Sequence, residues 1–309
     1  MKYAWIAEHR IEFSITEMCR VLKVSRSGYY DSLDRPQSER AKRTLRVREA
    51  VAQVHQETDE IYGSRKITEE LKHRDELETA CRNTVAKAMK ELGIRSKTGR
   101  KVFRPTTTQV DPSKRPAANV LDREFTATAP NQKWVTDITY LATAAGWVYL
   151  AAVVDLFSRK VVGWSVSHSL ATDLVQAALK DAIEKRRPDG SKLLHHSDRG
   201  CQYTSDSYQR TLRTLGITCS MSRTGNCYDN AVAERFFWSL KYEWTNHQIY
   251  ADLESTRASV FNYIEMFYNE RRRHETLEYV SPNDFECQFH KRTADHRRVE
   301  KTEAAAAAV

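Results

Sequence analysis

Lys133-Trp-Val-Thr-Asp-Ile-Thr-Tyr140 is a run of β-branched and aromatic residues broken by one acid, Asp137. The composition predicts a strand, and residues 133–141 read as one with Asp137 inside it. A buried strand has little reason to hold an unpaired carboxylate. Two more acids stand in comparable settings downstream. Lys192-Leu-Leu-His-His-Ser-Asp198 reads as a short strand ending in an acid before Gly200. Residues 229–244 read as a helix, with Ala233, Phe236, Phe237, Leu240 and Trp244 on its apolar stripe and Glu234 at the stripe's edge, facing the sheet. Between Asp198 and Glu234 lie 35 residues, and Lys241 follows Glu234 by seven, two helical turns along the same face.

Taken singly, each acid has an ordinary explanation. The chain holds 41 acids in 309 residues, so any one spacing means almost nothing. Asp198-Arg199-Gly200 also fits a turn, and Glu234 also fits an ion pair with Arg235 or Lys241 on a solvated face. What carries weight is their order: strand, strand end and helix within one α/β unit. Carboxylates on separate rigid elements that converge on one cleft are the donor set of magnesium, which wants hard oxygen ligands and keeps several waters. Two such ions roughly 3.5–4 Å apart activate an attacking oxygen and stabilise the leaving oxygen of a phosphodiester.

The rest of that unit follows from periodicity. Strands over Trp147–Val154 and Lys160–Ser167 come after short connections, so the first three strands are expected to be antiparallel neighbours. An amphipathic helix over Asp173–Arg186 turns Leu174, Ala177, Ala178 and Ile183 inward. A helix over Ser205–Leu215, a fifth strand over Ile217–Met221, a polar loop over Ser222–Asn230 and a late helix over Leu253–Asn269 complete it. His195 is expected to pack, and His196 to stand behind the acids without ligating, because imidazole suits softer metals. Asp155 is expected to turn the chain into Phe157-Ser158, and Asp229 and Asn230 to cap the Glu234 helix. Trp134, Trp147 and Trp164 read as core residues.

Four linked stretches resemble a known family. They are Ala129-Pro-Asn-Gln-Lys-Trp-Val-Thr-Asp-Ile-Thr-Tyr140, His196-Ser-Asp-Arg-Gly-Cys-Gln-Tyr203, Gly225-Asn-Cys-Tyr-Asp-Asn-Ala-Val-Ala-Glu234, and Tyr268-Asn-Glu-Arg-Arg-Arg-His274 with Leu277 and Ser281-Pro282. Over roughly residues 10–287 the chain resembles the second-frame transposase protein of bacterial two-frame insertion sequences, in the retroviral-integrase superfamily. The resemblance implies an α/β fold: an RNase H-like mixed five-stranded sheet with flanking helices, preceded by small all-α helix-turn-helix modules. It implies a DNA transposase that cleaves phosphodiesters at element ends and transfers the 3′-OH to target DNA. Asp137, Asp198 and Glu234 would then hold two Mg²⁺ ions, with Mn²⁺ as a substitute, and Lys241 would complete the catalytic set on a nearby phosphate. The implied partners are double-stranded DNA, further copies of the chain on that DNA, and a first-frame protein as fusion or partner. The N-terminal His/Cys zinc knot of retroviral integrases is lacking, and no heptad zipper is readable. An RNase H-like nuclease without strand transfer and a non-catalytic DNA-binding regulator remain as other readings.

Composition agrees with a nucleic-acid partner without requiring one. Lys and Arg number 49 against 41 acids, a net charge of +8, which also suits an anionic membrane surface. No apolar stretch approaches the ~18 residues of a span, and the N-terminus has no uninterrupted hydrophobic signal region. A cytoplasmic protein is therefore expected, and the resemblance implies a bacterial, nucleoid-associated one. The six cysteines form no Cys-x-x-Cys pair, which excludes a readable zinc finger and suits a reducing compartment. No Gly-rich Lys-Ser/Thr loop is present, so no ATP use is expected.

The N-terminal half is expected to bind DNA. Residues 1–34 read as a helix-turn-helix, with Ser14 and Ser25 as N-caps, a core of Met18, Val21, Leu22, Val24 and Tyr29, and Arg26 reaching DNA. Residues 35–60 read as a basic linker helix with Val47, Ala50, Val51 and Val54 apolar. Residues 61–110 read as a second helix-turn-helix opened by Arg65 and Lys66, with Ile67, Leu71 and Leu77 packing one side. Its Arg82–Leu92 helix is stopped by Gly93, carries Val85, Met89 and Leu92 inward, and turns Arg82, Asn83, Thr84 and Lys87 outward toward base edges and phosphates. Cys81 stands where a capping Ser is usual. The basic, proline-broken run 95–118, with Arg100 and Lys101, reads as an extended strand of chain tracking DNA; residues 111–130 are the linker into a catalytic core over 131–287. Arg271, Arg272 and Arg273 form a basic cluster suited to a DNA groove, and 288–309 is a basic, Ala-rich tail whose end is expected to fray.

Overall fold

The computed structural model describes residues 2–34, 38–74, 80–97, 114–223 and 226–307, in two compact units, Met1–Arg95 and Ser96–Val309. Arg100, Lys101 and Leu77 lie outside the described residues. The first unit is helical: α1 (Lys2–Glu8), α2 (Ile15–Leu22), α3 (Arg26–Asp34), α4 (Glu39–Glu57), α5 (Ser64–His73) and α6 (Arg82–Leu92). Ser14 accepts from Glu17 N at 3.3 Å and Ser25 from Gly28 N at 3.0 Å, so both expected caps form. Ile6 of α1, an element the sequence reading missed, closes a small core with Met18, Cys19 and Tyr29. Val21 is 73% exposed rather than buried, because the inward stripe of α2 runs through Met18, Cys19 and Leu22.

α4 buries Val47, Val51 and Val54, and Arg48 Nε donates to Glu91 Oε2 of α6 at 2.8 Å. A stretch read from its charge as a linker is thus packed and tied to the helix it precedes. In α6, Val85, Ala88 and Met89 are buried. Leu92 is half-exposed instead, because the helix closes at Gly93 in a left-handed cap and Ile94 N returns to Met89 O.

In the second unit β1 (Lys133–Thr143), β2 (Gly146–Asp155), β3 (Val161–Ser167), β4 (Leu194–Ser197) and β5 (Thr218–Met221) form one sheet in the order β3-β2-β1-β4-β5. The first three are antiparallel neighbours, as the short connections require; β1–β4 and β4–β5 are parallel. α7 (Thr172–Arg186), α8 (Cys201–Thr204) and α9 (Asp206–Thr214) complete a core of Trp134, Ala151, Val153, Val162, Leu174, Ala178, Tyr203 and Leu212. α10 (Ala231–Glu243), α11 (Leu253–Phe261) and α12 (Pro282–Ala307) follow. α12 stays helical through Ala307, where fraying was expected.

Two expectations fail here and a third, the late helix, holds with a change of pitch. Residues 114–121 are not a free linker: Lys114 pairs with Asp206 at 2.6 Å, Val120 N and Leu121 N donate to Ser220 Oγ, and Leu121 is buried. They form a strap along β5. The late helix changes pitch to a π-helix over Asn262–Asn269, which carries Tyr263, Phe267 and Asn269 inward; Asn269 then bonds both backbone groups of Val161 at 2.9 Å. Last, Arg272 is buried and leaves the proposed basic cluster. Its Nε donates to Glu243 Oε2 at 2.7 Å, its Nη2 to Oε1 at 2.5 Å, and Tyr263 OH joins at 2.8 Å. Arg273 is half-buried on Tyr279 O, and only Arg271 of the three is exposed.

Breaking the Arg272–Glu243 pair strands a buried charge, so Arg272→Ala or Glu243→Gln is expected to cost about 3–5 kcal/mol in urea unfolding. Gly163 lies so close to α7 that an added Cβ would stand 2.4 Å from Ala178 O and Ala182 N. Gly163→Ala is therefore expected to lose roughly 1–3 kcal/mol in the same assay. Buried His195 is pushed down to about 3, first by burial and then by the charge of His196. The unfolded ring titrates near 6.5, so below that pH the unfolded chain holds the extra proton and stability falls as pH drops toward 3. Unfolding midpoints taken from pH 7.5 to 4.5 should decline, and His195→Phe should flatten the slope.

Candidate active site

β1 and β4 bring the first two acids together. The parallel register pairs Val135 with His196; two residues further along the chain from each come Asp137 and Asp198, and the charge of Asp198 acts on Asp137. Asp137 Oδ1 accepts from Ile138 N at 2.8 Å. Asp198 lies just past the end of β4, and its Oδ1 accepts from Gly200 N at 3.0 Å. A Cβ on Gly200 would stand 3.1 Å from that oxygen, so glycine permits the close turn.

Glu234 comes from the first turn of α10 and is exposed, while Ala233, Phe236, Phe237 and Leu240 of the same helix are buried. Trp244, expected on the apolar stripe, instead ends the helix and donates from Nε1 to Ser259 at 2.9 Å. Two turns after Glu234, Lys241 sets its Nζ 3.8 Å from the centre of the Tyr140 ring, which meets Trp147 edge-on. Trp147 itself is 41% exposed rather than core.

Electrostatics link the four residues. Burial pushes the Asp137 carboxyl well above the usual carboxylate range, and the charge of Asp198 pushes it further. Glu234 acts in the same sense; the Ile138 N–H and Lys241 oppose them. Nearby, burial and the Asp137 charge raise the Tyr203 hydroxyl. Among the described residues no three His, Cys, Asp or Glu side chains are grouped closely enough to hold a metal ion. The arrangement is a negatively crowded corner where β4 ends beside the middle of β1, and the carboxyl end of a parallel strand is a position at which α/β sheets bind ligands.

The other polar candidates have structural duties. Asp155 accepts from Asn131 N, Phe157 N and Trp134 Nε1, which turns the chain as expected. His195 packs against Tyr208, with Nε2 3.2 Å from its hydroxyl. His196 bridges Ser220 and Ser222 at 2.8 and 3.1 Å and so ties β4 to β5, instead of backing the acids. Neither Asp229 nor Asn230 caps α10. Asp229 is sequestered by Arg223, Arg123 and Asn119, and Asn230 donates to Thr136 O at 3.1 Å. Sequence reading missed Arg123 and Arg223 because nothing in their spacing reveals that two half-exposed arginines share one buried carboxylate.

Integrase core domain families match residues 127–227 and 215–282, and an HTH-like domain family matches 42–102. The transposase InsF for insertion sequence IS3A of Escherichia coli (strain K12) is 40% identical over 288 residues, covering 93% of this chain and 98% of the relative. The chain belongs to the IS3-type insertion-sequence transposases. A 31 kDa protein of insertion element IS600 from Shigella sonnei is 38% identical over 277 residues, 90% of this transposase and all of the relative. Among solved structures, the magnesium complex of the HTLV-2 integrase catalytic core covers 52% of the transposase and 99% of that chain, at 16% identity and TM-score 0.41. The mixed sheet with flanking helices is the fold the motifs imply.

The expected DNA-facing side chains of the transposase's first unit lie on its surface. Arg26 is exposed at the start of α3, as is Arg65 in α5, where Lys66 stacks its ammonium 5.0 Å from the Tyr62 ring. On α6, Arg82, Asn83, Thr84 and Lys87 are all exposed, and Lys87 stands 3.9 Å from Glu91. Cys81 at the head of α6 makes no side-chain cap to the backbone; its Sγ is 3.3 Å from Thr84 Oγ1. Among the described residues no helix is long and apolar enough to cross a membrane.

Proposed function

We propose that this transposase cuts a phosphodiester at the end of its element and joins the resulting 3′-OH to target DNA, with Asp137, Asp198 and Glu234 as ligands of two divalent cations, Mg²⁺ or Mn²⁺. One observation supports this most: a strand, a strand end and a helix carry three acids, and burial first, then the charges of Asp198 and Glu234, push the Asp137 carboxyl upward. Crowded carboxylate charge of this kind is stabilised by a hard cation, and the donor set is all oxygen. When bound, the ions supply Lewis-acid activation of the attacking oxygen and charge stabilisation of the leaving one.

The protein's own share is positioning. The rigid strands hold Asp137 and Asp198 in register, and α10 brings Glu234 to them. Lys241, braced on the Tyr140 ring, holds a neighbouring phosphate as a point charge. No side-chain nucleophile is needed, because phosphoryl transfer depends on positioning and charge stabilisation. The outward face of α6, with Arg82, Asn83, Thr84 and Lys87, meets double-stranded DNA, and Arg26, Arg65, Lys66 and Arg271 add phosphate contacts. The active form is several copies on DNA, together with a first-frame protein.

The test uses labelled element-end DNA with Mg²⁺ or Mn²⁺, with and without the first-frame protein. Asp137→Asn is expected to bind the DNA normally and lose cleavage by at least about a hundredfold. Normal cleavage by that variant would remove Asp137 from the site. A pre-cut end carrying a free 3′-OH should give joined product; hydrolysis without joining would make the protein a plain nuclease.

A further inference from the structure

Where β4 stops, β1 runs on. Val135 is the last β1 residue paired with β4, and the next carbonyl, Thr136 O, accepts from Asn230 Nδ2 at 3.1 Å. Asn230 stands at the N-cap of α10, where an Asn side chain ordinarily accepts from the first-turn amides of its own helix. Here it makes no such bond. The side chain is turned to β1 instead, one residue before Asp137. Asn230 is 4% exposed, and its Oδ1 finds no hydrogen-bond partner among the described residues. A buried amide oxygen left unpaired is costly, so the geometry is held in place by its surroundings. Four residues on, one helical turn and about 6 Å of rise, stands Glu234.

Asp229 pins the same point from another direction. Its carboxylate is fully buried. It accepts from Arg223 N at 2.9 Å, Nε at 3.0 Å and Nη2 at 2.8 Å, from Arg123 Nε at 2.9 Å, and from Asn119 Nδ2 at 3.1 Å. Asn119 belongs to the strap along β5, and Arg123 to the turn that follows it. A guanidinium that engages both oxygens of a carboxylate fixes direction as well as distance. Two adjacent residues are therefore bonded, one to β1 and one to the chain segments beside β5, immediately before the helix that carries the third acid.

We propose that Asp229 and Asn230 are positioning residues that set the separation of Glu234 from Asp137: Asn230 bonds the start of α10 to β1, and Asp229 bonds it to the strap. This rests on the reading of the three acids as cation ligands. Neither residue touches the ions or the DNA. Groups that orient ligands in this way typically change metal affinity by about 10- to 100-fold when removed.

The experiment is calorimetric titration of the full-length chain with Mn²⁺, beside the Mn²⁺ dependence of cleavage, apo unfolding midpoints and end-DNA binding. Asp137→Asn is the control for the underlying reading. If it binds Mn²⁺ as wild type does, the cation site itself is misassigned and the positioning role falls with it. If it loses binding, Asn230→Ala and Asp229→Asn are expected to weaken Mn²⁺ by about 10- to 100-fold while DNA binding stays unchanged. Their half-saturating Mn²⁺ for cleavage should rise in step, with activity recovering at high Mn²⁺. Unchanged Mn²⁺ affinity in folded Asn230→Ala overturns the proposal. Should Asp229→Asn fail to fold, Arg123→Gln removes a single half-exposed donor, and it should give a smaller loss in the same direction; no loss there overturns the role of Asp229.

Discussion

The parallel pairing of β1 with β4 is the constraint on which the site depends. β1 is the central strand, bonded by β2 along its whole length and by β4 only at its start. The start is therefore held on both edges, and past Val135 one edge has no strand partner until Thr143 bridges Tyr250. Asp137 lies at that change, and Asp198 just past the end of β4. A one-residue slip would invert the pleat, take Trp134 out of the core and turn Asp137 to the other face. Trp134 is wholly buried and bonds Asp155 through its indole N–H, so the register is fixed by packing and by a polar contact at once.

Two classes of buried acid can be told apart by their partners. Asp155 is buried and raised by that burial, yet it accepts from two backbone amides and an indole. Glu286 receives a bidentate guanidinium from Arg186 at 2.8 and 2.9 Å and a hydroxyl from Ser158 at 2.7 Å. Glu243 has Arg272 and Tyr263. Such acids are compensated, and their role is structural. Asp137 differs in kind: besides the amide of the next residue, its strongest neighbours are two further negative charges. A fold that leaves one acid in that environment, while it satisfies others a few strands away, concentrates electrostatic strain at one corner.

The sheet was legible because its strands obey simple rules. Short connections force antiparallel neighbours, and β-branched runs mark β1, β2 and β3. The placement of Asp137 in a strand, Asp198 at a strand end and Glu234 in a helix was legible from the periodicity around each. What escaped was tertiary in origin. Arg272 sits among basic residues, which reads as a surface, yet the π-helical turn before it rotates it onto Glu243. Charge likewise suggested a linker helix at 35–60, where α4 uses its stripe of valines to pack within the first unit. Asp229 and Asn230 occupy capping positions and have capping chemistry, and only the distant partners Arg123, Arg223 and Thr136 reveal another use.

That last misreading bears on how the site is assembled. α10 could have been capped locally by its own Asn, which stabilises a helix by about 1 kcal/mol. The chain forgoes this and lets the Asn amide take the hydrogen bond that β4 would have supplied had it been longer. A short β4 opens the edge of β1 and makes room for a third acid; the open edge exposes a carbonyl; and the residue that satisfies the carbonyl also anchors the helix that brings the acid. The gap beside β1 and the anchoring of the helix that carries Glu234 both follow from the same four-residue strand.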